Sequence, residues 1–282
     1  MQERSRKYLL ELFAEAPSEL FHYTSAAGLH GMLESKTILG GNYAFMNDKT
    51  EFTYGTRLLG EIAEERGGSA ASSFDAEVLR SIVESERRIT SADLYLTCFC
   101  AKGDLLSQWR GYGNSDSRYC MQVQPAKFEF ALKRVAGIFP VVYDVTKQRD
   151  LLSGVLETHL GVIDSDDLGD VEDCIRCVYS CCLMAFAFIK NPVFEEEHEW
   201  RATMFAYPGE HVSSLKFLPS SGMMRPYLPI LRGAGGGGLP ITKIIAGASR
   251  FVPQAIRSAE LMLQTFGYAG VSVDASRVPL SG

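Results

Sequence analysis

From Phe194 to Ala202 the chain runs Phe194, Glu195, Glu196, Glu197, His198, Glu199, Trp200, Arg201, Ala202, a segment that reads as a β-strand. Successive strand side chains point to opposite faces, so Glu195, Glu197, Glu199 and Arg201 fall on one face and His198, Trp200 and Ala202 on the other. Any fold this chain adopts must give that acidic face a use. It is either the solvated side of an edge strand or part of a reaction centre.

The rest of the chain limits what such a centre can belong to. Its 282 residues, 46% of them apolar, can bury a sizeable core and read as a single domain spanning 1–282. No stretch has the eighteen or so unbroken apolar residues of a membrane span, and the first residues lack the apolar core of a leader. Seven cysteines, an odd number without a regular framework, imply reduced thiols and a cytoplasmic location. Cys174, Cys177, Cys181 and Cys182 follow helical spacing among apolar neighbours and read as core packing, with no metal expected. A net charge of −6 gives no global basic footprint for nucleic acid, although a local positive groove stays open.

Helices and strands are mixed throughout. Periodicity predicts a helix over Arg4–Ala16, a strand at Leu20–Thr24, and a helix capped by Ser25 that buries Leu29, Met32 and Leu33. A short strand follows at Ile38–Leu39, and Asp48 with Glu51 has capping-box spacing for a helix toward Arg66. Then come a helix at Asp75–Arg88, a strand at Asp93–Ala101, a short helix at Leu105–Tyr112 and a strand at Arg118–Val123. Beyond them the pattern predicts a helix at Pro125–Val135, a strand at Ile138–Tyr143, and helices at Lys147–His159 and Val171–Lys190. After the acidic strand come strands at Tyr227–Leu231 and Thr242–Ala246, a helix at Pro253–Phe266 and a last strand at Gly270–Val273.

Two tempting motifs carry no chemistry. Asp164, Asp166 and Asp167 lack the alternating ligands, central glycine and distant glutamate of a calcium loop. The glycines from Gly233 to Gly238 are followed by a strand and by no Gly-Lys-Ser/Thr, so they read as a mobile loop and not a phosphate cradle.

Three separated segments belong together by their order: Phe21-His22-Tyr23-Thr24, Ser107-Gln108-Trp109-Arg110 with Tyr112, and Glu197-His198-Glu199-Trp200-Arg201. This order resembles the ADP-ribosyltransferase superfamily, in which a first strand carries His or Arg, a middle segment Ser and an aromatic residue, and a late strand Glu. Together with Met46-Asn47-Asp48, Glu51 and the closing Ser276-Arg277-Val278-Pro279, the chain resembles more closely the bacterial family known as domain of unknown function 2971. The resemblance implies an α+β fold with an ADP-ribosyltransferase-like split β-sheet core elaborated with several helices. It also implies NAD as substrate, and a place in bacterial toxin or phage-defence systems.

Breaking the nicotinamide–ribose bond of NAD builds an oxocarbenium-like ribose that a carboxylate can stabilise, and Glu199 is the first candidate, Glu197 the second. Tyr112 or Trp109 would be the nicotinamide platform and Ser107 its amide partner. From the first strand, His22 would hold a ribose hydroxyl and Thr24 the amide or a phosphate, with Tyr23 between them. Arg110 and Arg201 would hold the diphosphate. The acceptor can be protein, nucleic acid or small molecule. Two other readings stay open: a nuclease or other hydrolase using His22 with Glu197 and Glu199, and a catalytically silent nucleotide-binding module.

Overall fold

Alternate side chains of the central strand feed two separate cores. In the computed structural model, which describes residues 16–46, 50–67, 93–111, 118–132, 135–160, 182–206, 212–220 and 222–279, this strand is β3 (Asp93–Cys100). Leu94 and Leu96 enter one core while Tyr95 and Phe99 enter the other. Around β3 the described residues form an eleven-stranded mixed sheet flanked by helices on both sides, an α+β architecture.

The chain enters through β1 (Leu20–Ser25), and Ser25 then caps α1 (Ala26–Ser35) by accepting from Gly28 N at 3.1 Å. Next come β2 (Thr37–Asn42), α2 (Thr50–Gly67), β3, the short α3 (Leu106–Gly111), β4 (Arg118–Val123), β5 (Phe128–Phe130), β6 (Val135–Pro140) and α4 (Val145–Leu160). The last part holds β7 (Glu199–Ala206), β8 (Lys216–Ser220), β9 (Met223–Gly233), β10 (Ile241–Ala246), α5 (Val252–Phe266) and β11 (Ser272–Ala275). Pro253 opens α5, and Gly267 closes it in the left-handed conformation at φ 79°.

The order across the sheet is β11-β10-β4-β1-β3-β2-β9-β5, with β7 on β3, β6 on β7 and β8 on β9. All pairs are antiparallel except β10 with β11, which α5 joins as a parallel crossover. β7 lines one edge of β3 along its whole length. The other edge is divided: β2 takes Tyr95 and Leu96, and β1 takes Cys100. The sheet therefore forks at β3 into a β1 wing and a β2 wing.

On the first face, α2 and α4 pack with residues 182–189 over Leu94, Leu96 and Phe139. On the second face, α1 and α5 pack over Leu20, Met121, Ile230 and Ile244. No helix among the described residues is long and apolar enough to cross a membrane.

Several local expectations are corrected. The helix expected at Pro125–Val135 is a single 3-10 turn followed by β5, because Phe128, Glu129 and Phe130 pair with β9. The strand expected at Ile138–Tyr143 is β6 and ends at Pro140. Within the expected helix Val171–Lys190, helical backbone stops at residue 186. The glycine-rich segment folds into a tight turn in which Gly235 N donates to Glu129 Oε1 at 2.9 Å. The helices expected at 4–16 and 75–88, Asn47, Asp48, Tyr112, the 164–167 loop, Cys174, Cys177 and Cys181 lie outside the described residues.

Candidate functional site

Asn191 and Pro192 begin a 3-10 turn over Pro192–Glu197, with the Asn191 side chain accepting from Val193 N at 3.1 Å. His198 then adopts a left-handed backbone, φ 44°, which resets the chain direction so that β7 starts at Glu199. The extended reading of Phe194–His198 is thus corrected. Glu195 and Glu197 sit on a turn, while the alternation expected for Glu199, Trp200, Arg201 and Ala202 is present on the strand.

Glu199 and Arg201 face the first core. Arg201 is fully buried, and its guanidinium donates to Glu199 Oε1 (2.9 Å), Glu199 Oε2 (2.8 Å), Glu51 Oε2 (2.8 Å) and Ala187 O (2.9 Å). Lys190, which closes the buried apolar run 182–189, meets the same two carboxylates at 2.8 Å (Glu51) and 3.3 Å (Glu199) and adds Glu197 at 2.6 Å. The buried Gln148 fixes it by donating Nε2 to the carbonyl of Lys190 at 2.7 Å. The result is an ion cluster of three carboxylates and two cations, one net negative charge when all are ionised.

Desolvation and charge compete in this cluster, and the winner differs by residue. Burial pushes the Glu199 carboxyl up, but Arg201 and Lys190 outweigh it and hold the group down at about 2. Burial also works to discharge Lys190, yet Glu199 and Glu51 keep it protonated, raised above its ordinary range. For Glu197 burial wins, and its carboxyl lies above the ordinary value despite the Lys190 bond. Its side chain is 25% exposed, against 9% for Glu199 and 5% for Glu51. Glu197 is therefore the member at the cluster's mouth.

The first strand does not join this cluster as a unit. Phe21 is registered with Cys100, and Cys100 with Glu199, so Phe21 and Glu199 share a face. His22, the next residue, points to the opposite face, where its ring lies 5.4 Å from Phe99 and its Nδ1 meets Cys98 O at 2.8 Å. Burial lowers the His22 pKa in spite of that bond. Thr24 shares the His22 face and lies over Gly28, where a Cβ would come 2.2 Å from its hydroxyl. The convergence of His22 and Glu199 on one cleft is thus replaced by separation through the thickness of the sheet.

Tyr23 faces the Glu199 side and meets Trp109 edge-on at 5.0 Å in a third apolar cluster with Cys100, Cys120 and Ile245. Trp109 is buried, so its ring is not an open platform. α3, which carries half-buried Ser107 and exposed Arg110, packs beside the 192–197 turn, whose last residue is Glu197. Asp104, left-handed at φ 58°, organises this corner. It accepts from Trp109 Nε1 (2.9 Å), Arg277 N (2.7 Å) and the Ser276 hydroxyl, tying the C-terminal segment to the loop that leads into α3.

Sequence reasoning missed Glu51, Lys190 and Asp104 as members of this region. Glu51 fits a helix-cap pattern, but both its oxygens serve the buried cations. For Lys190 the available signal was a lone charge closing the apolar run before Pro192. Among the described residues no His, Cys, Asp and Glu group is arranged to hold a metal ion.

Residues 108–202, from α3 to β7, match the family described as "Protein of unknown function (DUF2971)". The matched stretch holds Trp109, Lys190, Glu197, Glu199 and Arg201 and leaves out His22 and Ser276. The chain matches no curated protein and no solved structure.

Proposed function

We propose that this chain is a cytoplasmic, NAD-dependent ADP-ribosyltransferase-like enzyme in which Glu197, not Glu199, is the carboxylate that meets substrate. The observation that carries this reading is the position of Glu197: partly open, raised by burial, anchored by Lys190 at 2.6 Å and at the end of the turn that α3 packs against. A carboxylate there can stabilise an oxocarbenium-like ribose as the nicotinamide leaves, and a raised one is the better base toward an acceptor hydroxyl or amine. Ser107 and Arg110 are the polar side chains of α3 open enough to meet a ligand. His22 and Thr24 have no part in it, which departs from the superfamily arrangement.

The four bonds that buried Arg201 gives to Glu199, Glu51 and Ala187 O favour a supporting role for those residues. They fix Lys190, and Lys190 fixes Glu197.

The test is nicotinamide release from NAD by the full chain, with protein, nucleic acid and small molecules offered as acceptors. Glu197→Gln is expected to lower the rate about a hundredfold or more, on the order of 3 kcal/mol. No release by the wild type, or full activity in Glu197→Gln, refutes the assignment. Cleavage of RNA or DNA without NAD would establish the hydrolase alternative, and NAD binding without turnover the silent module.

A further inference from the structure

We propose that Lys102 and His198 form an anion-binding site for phosphate groups, placed beside Glu197 to hold the diphosphate of a nucleotide ligand. Arg201, one of the two arginines expected for that role, is fully buried and already bonded to Glu199, Glu51 and Ala187 O, so the cation must come from elsewhere.

The site is built by stitching the loop after β3 to the turn before β7. Ala101 N donates to His198 O (2.9 Å), Cys100 Sγ donates to Glu197 O (2.9 Å), and Lys102 N donates to Cys100 Sγ (3.3 Å). These bonds hold His198 left-handed and bring Lys102 Nζ to 2.8 Å from His198 Nε2. An ammonium only donates, so Nε2 accepts and the imidazole proton lies on Nδ1.

The choice of partner is what points to a ligand. Glu195, Glu196 and Glu197 all lie on the adjoining turn, yet among the described residues Lys102 makes no ion pair with a carboxylate. Its two remaining N–H groups stay available at an exposed rim. Arg110, also without a carboxylate ion pair among the described residues, is exposed on α3, the helix that packs beside the 192–197 turn. A phosphate oxygen arriving beside Lys102 would receive charge-assisted hydrogen bonds from its two remaining N–H groups, while His198 Nε2, accepting the third, holds the ammonium in place. Glu195 and Glu196 oppose it, which restricts the site to ligands that other contacts also hold.

The inference rests on the Glu197 reading for its catalytic meaning but is tested by binding. Calorimetry on the full chain with inorganic pyrophosphate and with ADP is expected to show both bind. Lys102→Ala and His198→Asn should each weaken binding about tenfold or more, and Lys102→Arg should retain it. Asn is the chosen replacement because it tolerates the left-handed backbone. The His198 ring resonances should shift when pyrophosphate is added. Absence of wild-type binding at millimolar pyrophosphate, or wild-type affinity in both variants, overturns the proposal. So does ADP binding that neither substitution weakens, which would place the contact at the base or ribose. Pyrophosphate binding lost in the variants, with no nicotinamide release from NAD, would refute the Glu197 assignment and leave the anion site standing. Nicotinamide release with unchanged KM for NAD in Lys102→Ala would do the reverse.

Discussion

Arg201→Met removes a fully buried guanidinium while keeping much of its volume, and it leaves Glu199 and Glu51 buried with Lys190 alone to balance them. Breaking a buried ion pair on one side costs about 3–5 kcal/mol, because the remaining charge loses its partner in a poorly solvated site. The Glu199 carboxyl gives a second route to the magnitude. Held from its ordinary 4.5 down to about 2, it contributes on the order of 3 kcal/mol. For a chain of 282 residues such a loss lowers the melting temperature by roughly 5–8 °C. In the wild type this folded-state pKa is depressed, so the contribution is complete above pH 4.5 and lost as pH falls toward about 2. Without Arg201 the folded carboxyl loses the stronger of the two charges that hold it down. The variant therefore lacks most of the contribution that the wild type loses in acid. Urea unfolding of both proteins at about pH 7 and about pH 3.5 should therefore show a wide gap that narrows in acid. A gap below about 1 kcal/mol at neutral pH, or one that does not change with pH, would refute this account of the cluster.

Gly55→Ala should destabilise by about 1–2 kcal/mol in urea, although alanine is ordinarily the better helix former, because the new Cβ would stand 2.7 Å from the Phe186 ring; a more stable variant would contradict the packing. Asp104→Ala should cost about 2 kcal/mol and change Trp109 fluorescence, since Trp109 Nε1, Arg277 N and the Ser276 hydroxyl lose their shared acceptor. Burial pushes the Cys100 thiol up to about 11 and Cys182 up to about 12, with Cys98 and Cys120 also raised. Residue-resolved labelling near pH 8 should thus find these four unreactive until the chain unfolds, and rapid native labelling of any of them would count against their burial.

Where one local signal decides an element, the residues announced it. Ser25 ahead of Leu29, Met32 and Leu33 marks α1, and Pro253 with Gly267 brackets α5. Where pairing partners decide, they did not. Phe128-Glu129-Phe130 becomes a strand because β9 lies beside it, and helical periodicity in Pro125–Val135 could not register that neighbour. The site divides in the same way. Alternation correctly placed Glu199 and Arg201 on one face. The side of the sheet taken by His22, however, follows from the Phe21–Cys100–Glu199 register across three strands, which no spacing along the chain encodes. Lys190 likewise meets Glu51 across more than a hundred residues of sequence, so their partnership exists in the fold alone.

Asp104 joins residues 104, 109, 276 and 277, and this has a consequence for the order of events during synthesis. A ribosome delivers β3, α3 and β7 well before residue 276 emerges, so the ion cluster can assemble while Asp104 still lacks two of its three donors. Completion of the corner around α3 is thereby postponed until residues 276 and 277 have been delivered. A chain interrupted between Ala206 and Ser276 would possess Glu51, Lys190, Glu199 and Arg201 yet present an unfinished rim to any ligand.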